Sequence, residues 1–230
     1  MGKPIYFVGG SKGGVGKSCV SMALLDFLTI AGETPFLVEA DNTNPDVYKA
    51  YQAELASECL GLDDADGWID LVDLINTCPD SCVVINTPAR NNDGVKRYGE
   101  TLTSTLKDLG RELVVFWVIN RQRDSLELLI EFMASMPNAT IHVVRNLHHG
   151  EERKFDLYNS SKVRTLLQKS HSGISLNFPA LASRVADKLS SERMSIAKAI
   201  ATVPLGNRAE LERWRRSVRT MFAEVIHVGE

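Results

Sequence analysis

The sequence predicts an α/β fold, a mostly parallel twisted sheet with helices on both faces. Short continuous apolar runs are bounded by Gly, Pro or Asn, as strands buried on both faces require. Stretches with helical apolar spacing separate them, so strand and helix alternate. The first run leads through a glycine-rich turn straight into a long amphipathic stretch.

In chain order, Ile5–Val8 reads as the first strand. Lys17–Ala31 reads as a helix with Val20, Ala23, Leu24, Phe27 and Leu28 on one face and Gly32 as its left-handed stop. Further strands are expected at Pro35–Val38, Cys82–Ile85, Leu113–Ile119, Ile141–Val144 and Ile174–Leu176. Helices are expected at Asp93–Leu109, Asp124–Ser135, Asp156–Gln168, Pro179–Leu189, Ser191–Ala201 and Asn207–Ile226. Asn42–Ala65 is expected to be irregular. No repeat or linker divides the chain, so residues 1–230 are read as one domain.

With 44% hydrophobic and 24% charged residues in 230, the composition is that of an ordinary folded domain and excludes disorder or a fibrous repeat. The apolar run ending at Ile119 is too short to span a bilayer, and no basic-then-apolar leader opens the chain. A soluble, cytoplasmic protein is expected. Cys19, Cys59, Cys78 and Cys82 match no zinc or redox spacing and are read as reduced, small apolar residues.

The net charge of −3 is unevenly spread. Arg145–Thr220 holds 15 Lys/Arg against 7 Asp/Glu, whereas Ala53–Asp80 has eight acids and no base. A basic final third suggests a surface facing a polyanion. Alternatively, charges on solvated helix faces cancel in three dimensions.

The chemistry is concentrated in Gly9-Gly10-Ser11-Lys12-Gly13-Gly14-Val15-Gly16-Lys17-Ser18, between the first strand and first helix. This is the setting of a P-loop. Glycines let successive N–H groups turn toward phosphate oxygens, and the helix N-terminus adds its dipole. Ser11, Lys12, Gly13, Gly14, Val15, Gly16, Lys17, Ser18 and Cys19 are the candidate nucleotide cradle. Lys17 reaches the β- and γ-phosphates, and the Ser18 hydroxyl ligates Mg²⁺. Ser11 stands where the motif has its first glycine. The predicted architecture is thus a single-domain P-loop NTPase fold.

Lys12-Gly13-Gly14-Val15-Gly16-Lys17-Ser18 resembles the K-G-G-x-G-K-[S/T] loop of the ParA/MinD family of ATPases. The resemblance implies ATP and Mg²⁺ as cofactors. It also implies a homodimer formed on ATP, in which Lys12 reaches the other subunit's nucleotide. Glu39-Ala40-Asp41-Asn42 follows the second strand where the family has D-x-D. Asp41 matches the second Asp, implying a role in positioning the attacking water and in the metal shell; an Asx turn is the local alternative. Val83-Val84-Ile85-Asn86-Thr87-Pro88 resembles the family's D-T-P strand, with Asn86 in place of Asp. Asn86 keeps a polar contact near the metal but removes a charge, so slow hydrolysis is expected. By resemblance Asn146 meets the adenine edge and Pro204 belongs to the loop covering the base. Lys12, Lys17 and Asp41 are the candidate catalytic residues; Ser18, Asp41 and Asn86 are those near the metal. The adjacent His148 and His149 are read as solvated.

Leu211, Trp214, Val218, Met221, Phe222 and Val225 recur at helical spacing, with Arg208, Arg213, Arg215, Arg216 and Arg219 on the other faces. The stripe docks on the sheet, leaving the arginines to face DNA phosphate without reading sequence. The alternative is an amphipathic helix lying on a membrane surface. The leading expectation is a ParA-like ATPase that dimerises on ATP, holds DNA nonspecifically and is released when a partner protein stimulates hydrolysis. Its setting would be plasmid or chromosome partition, or mobile-DNA transfer, in a cytoplasmic, nucleoid-associated protein. The alternatives are a MinD-like membrane-cycling ATPase and a nucleotide-gated adaptor with negligible turnover.

Overall fold

The computed structural model describes residues 2–10, 12–89 and 91–227. Among them, seven strands form one all-parallel sheet in the order β3-β2-β4-β1-β5-β6-β7. The strands are β1 (Ile5–Gly10), β2 (Phe36–Glu39), β3 (Ser57–Cys59), β4 (Val83–Asn86), β5 (Leu113–Ile119), β6 (Thr140–Asn146) and β7 (Ser175–Phe178). The helices are α1 (Lys17–Ile30), α2 (Asp46–Tyr51), α3 (Ala65–Thr77), α4 (Asn92–Leu109), α5 (Asp124–Ser135), α6 (Asp156–Asn159), α7 (Lys162–Ser170), α8 (Ser183–Ser191), α9 (Ile196–Thr202) and α10 (Leu205–Ala223).

Strand alternation sorts the core into two layers. Tyr6, Val8, Leu37, Val84, Phe116 and Val144 face the layer containing α1, α2, α8, α9 and α10. Ile5, Phe7, Val38, Ile85, Trp117 and Val143 face the layer containing α3, α4 and α5. A strand buried on both faces has no polar side, which is why the strands read as unbroken apolar runs. Gly32 ends α1 at φ +83 as expected, with Glu33 N–H returning to the Leu28 carbonyl.

The acidic segment is more ordered than expected. Asn42–Ala65 contains α2, which buries Val47, Ala50 and Tyr51, and the short edge strand β3. The helix α3 follows; Asp64 caps it by accepting from Gly67 N–H, and Trp68, Leu71 and Ile75 bury its inner face. The expected Asp156–Gln168 helix divides at Ser160–Ser161, where the Ser161 hydroxyl caps α7. The expected Pro179–Leu189 helix begins only at Ser183.

At the N-terminal edge of the sheet, Arg111 is 5% exposed and gathers carbonyls from three chain segments. Its guanidinium donates to Lys3 O at 2.6 Å, Ile75 O and Cys78 O at 3.1 Å, and Ser81 O at 2.5 Å. These include carbonyls at the C-terminal end of α3 that have no onward helical partner.

The apolar stripe of α10 is packed away: Leu211, Trp214, Val218, Met221 and Phe222 are all buried. Phe222 meets Phe27 and Phe116, and Trp214 Nε1 donates to Pro179 O at 2.8 Å. Among the described residues no helix is long and apolar enough to cross a membrane.

Candidate functional site

The C-terminal ends of β1, β2, β4 and β6 bring Gly10, Glu39, Asn86 and Asn146 to one edge of the sheet. β1 lies between β4 and β5, so the loop leaving it opens where the strand order reverses and crevices form in such sheets.

The loop from Lys12 to Gly16 curls into the first turn of α1. Gly14 has φ +77 and Gly16 has φ +108, backbone that side-chain-bearing residues avoid. A Cβ on Gly16 would lie 2.3 Å from Asn146 Nδ2, so the glycine is required by close approach as well as by torsion. Val15 is fully buried and pins the loop to the core. Ser18 is exposed at the start of α1 and Cys19 is partly buried behind it. Gly13 lies on the open side of the loop. Ser11 lies outside the described residues.

Lys17 is 7% exposed, and its ammonium donates to the Lys12 carbonyl at 3.1 Å. Burial lowers its pKa, and the negative charge of Asp41 opposes that shift. A buried cation with one carbonyl partner, beside a curled loop and an exposed Ser18 hydroxyl, suits a polyphosphate and a hard divalent ion. Lys12 itself is half-exposed, its ammonium paired with the carboxylate of Asp124. Asp41 Oδ1 accepts from Asn44 N–H at 3.0 Å, forming the Asx turn that the sequence offers, while its charge still acts on Lys17.

Asn86 is 1% exposed; its carbonyl accepts from Ser21 Oγ at 2.8 Å and its amide donates to Glu39 Oε1 at 2.7 Å. It therefore stands among side chains rather than opening onto solvent. Glu39 also accepts from Asp41 N–H at 3.1 Å and Tyr48 N–H at 3.3 Å. Burial raises its pKa, and those hydrogen bonds pull it back.

The structure gives other expected site residues the following positions and partners. Asn146 Nδ2 donates to Val15 O at 2.8 Å, and its Oδ1 accepts from His148 N–H at 3.0 Å. The amide braces the phosphate loop through these two hydrogen bonds. Pro204 stands before α10, two helices beyond the sheet edge. The proline next to Asn146 is Pro179, since Asn146 pairs with Phe178 in the sheet. Among the arginines, Arg215 is folded inward, gripping the buried Asp26 of α1 at 2.7 and 2.6 Å. Arg213 is paired with Glu210 at 2.7 and 2.8 Å. Arg208, Arg216 and Arg219 remain exposed. His149 is only partly exposed, and the Gly14 and Val15 backbone favours its charged form against burial.

A cavity of about 530 Å³ opens beside Gly14, Ser18, Cys19 and Met22, closed by Leu181 and Leu189. Sequence reasoning missed this wall because it is assembled from α1, α2 and α8.

Fold and loop together define a P-loop nucleotide-binding protein. Residues 6–151 match the model described as the CobQ/CobB/MinD/ParA nucleotide binding domain, and the chain belongs to that family. It is 57% identical over 227 residues to Protein MobD of Acidithiobacillus ferrooxidans, covering 99% of this chain and all of that protein. The MinD cell division protein of Aquifex aeolicus matches at TM-score 0.57 and 14% identity, over 99% of this chain and 100% of that one. The septum site-determining protein MinD of Pyrococcus horikoshii OT3, solved with Mg-ADP, matches at TM-score 0.55 and 15% identity, over 94% of each chain. At these identities the two structures establish the shared fold.

Proposed function

We propose that this chain is an ATP-binding, slowly hydrolysing ATPase that dimerises on ATP and holds DNA nonspecifically during mobile-DNA transfer. The carrying observation is the loop in which buried Lys17 and half-exposed Lys12 sit at the two ends of one glycine turn. Lys17 and the loop N–H groups would bind the phosphates, Ser18 would help hold the metal, and the cavity past Cys19 would take the nucleoside. Bound Mg²⁺ supplies charge neutralisation at the transferring phosphoryl group. Among the described residues no three His, Cys, Asp or Glu groups form a metal cage, so a divalent ion would rely on Ser18, phosphate oxygens and water. Asp41, fixed in its turn, would orient the attacking water.

Lys12 would exchange its partner within the chain for the other subunit's nucleotide, tying dimerisation to ATP. The mobile-DNA setting is supported by the name of the 57% identical relative. Arg208, Arg216 and Arg219 would meet phosphate, followed by release when a partner protein stimulates hydrolysis. Burial of the α10 stripe argues against the membrane-surface alternative.

The test is ATP turnover and sedimentation with and without duplex DNA, on wild type and Lys12→Ala. The expected result is an ATP-dependent, salt-sensitive shift onto DNA that Lys12→Ala abolishes. Equal sedimentation with ADP and ATP would overturn the reading.

A further inference from the structure

Glu39 and Asn86 are register partners at the C-terminal ends of β2 and β4. Both are shut off from solvent, at 0% and 1% exposure. Their hydrogen bonds have a fixed sense. Ser21 Oγ donates to Asn86 Oδ1 at 2.8 Å, which turns Asn86 Nδ2 toward Glu39 Oε1 at 2.7 Å. That same Oε1 accepts from Asp41 N–H at 3.1 Å, and Oε2 accepts from Tyr48 N–H at 3.3 Å. One carboxylate thus holds both ends of the turn that carries Asp41.

We propose that Glu39 is the positioning residue for Asp41, and that Asn86 is an amide because Glu39 is a carboxylate. The pair carries one negative charge on β2 and a neutral donor on β4. An aspartate at position 86 would set two buried carboxylates at hydrogen-bond distance, a pair that holds together only by taking up a proton that the amide makes unnecessary. Of the two acids that the family pattern places at this edge, this chain keeps the one on β2 and carries a neutral amide in place of the one on β4. The catalytic half of the inference rests on the proposed role of Asp41; the pairing half does not.

The polarity of the pair can be inverted in steps. In Asn86→Asp, the ligand-free protein at neutral pH should melt well below wild type, because the buried pair must repel or take up a proton. Adding Glu39→Gln should raise the melting temperature again, since the amide now on β2 can donate to the carboxylate now on β4. Melting shifts that simply add would overturn the pairing. In the double variant that amide presents N–H where Oε1 stood, so Asp41 N–H loses its acceptor while Tyr48 N–H keeps one. Hydrogen exchange at the Asp41 amide should accelerate by about tenfold or more with Tyr48 little changed. Unaltered exchange at Asp41 would overturn the positioning role. In turnover, kcat of the double variant should fall about tenfold with KM for ATP moving less than about threefold. An unchanged kcat would also refute positioning. If wild type binds no nucleotide, the proposed function fails while melting and exchange still decide the inference.

Discussion

Lys12 and Asp124 hold each other within a single chain: the loop ammonium pairs with a carboxylate in the first turn of α5. The hydrogen bond and charge of Lys12 keep the Asp124 carboxyl below its usual pKa. A lysine that acts across a dimer must first leave this partner. Asp124→Asn should therefore raise the fraction of ATP-bound dimer, by no more than about fivefold because both groups are half-exposed. Analytical ultracentrifugation with a nonhydrolysable ATP analogue measures it, and a lower dimer fraction would show that Asp124 assists the dimer.

The Asn146 side chain braces the loop through Val15 O. Asn146→Ala removes the donor to Val15 O that ties the end of β6 to the loop. Affinity for ATP should fall about tenfold, and affinity for inorganic triphosphate by a similar factor. A base-reading role would weaken ATP and spare triphosphate. Competition against a fluorescent nucleotide separates the two.

The arginines of α10 divide into one that holds the fold and several that face outward. Arg215→Ala would leave the buried Asp26 carboxylate without its fork of donors, at a cost of about 3 kcal/mol in denaturant unfolding. Arg216→Ala and Arg219→Ala should each stay within about 0.5 kcal/mol of wild type. On DNA, each lost phosphate contact should reduce the slope of log affinity against log salt by about 0.9. An unchanged slope would mean that α10 does not touch the duplex.

Stability should fall in mild acid because of His142. The ring is 5% exposed, its Nδ1 accepts from Ile174 N–H at 3.2 Å, and burial pushes its pKa down to about 4 from 6.5. Between those values the unfolded chain binds a proton that the folded one refuses. Stability is therefore intact above 6.5 and lost as pH falls toward 4, by about 1.4 kcal/mol per unit. His142→Gln keeps an acceptor for Ile174 and should flatten that slope in urea unfolding followed from about pH 7 to about pH 4.5.

The parts of the molecule written in local spacing were legible in the sequence. β1, the phosphate loop and α1 follow one another without interruption, and their roles follow from glycine, lysine and strand–helix order. β3 was invisible because a three-residue edge strand, partly exposed, has no apolar run to announce it. α3 did have Trp68, Leu71 and Ile75 at helical spacing behind an Asp cap, but surrounding acids hid it. The contacts at the site that the sequence did not reveal share a cause: Asn146, Arg215 and Asn86 take partners 131, 189 and 47 or more positions away. No local pattern encodes which amide will sit under a loop, or which arginine will turn inward.

The brace from Asn146 to Val15 also sets a timetable. A ribosome that has made β1, the glycine turn and α1 has made every residue that would wrap phosphate, yet the strand that stiffens the wrap is still far ahead in the message. On the proposed nucleotide role, a product ending before β6 would carry the loop without the amide that stiffens it.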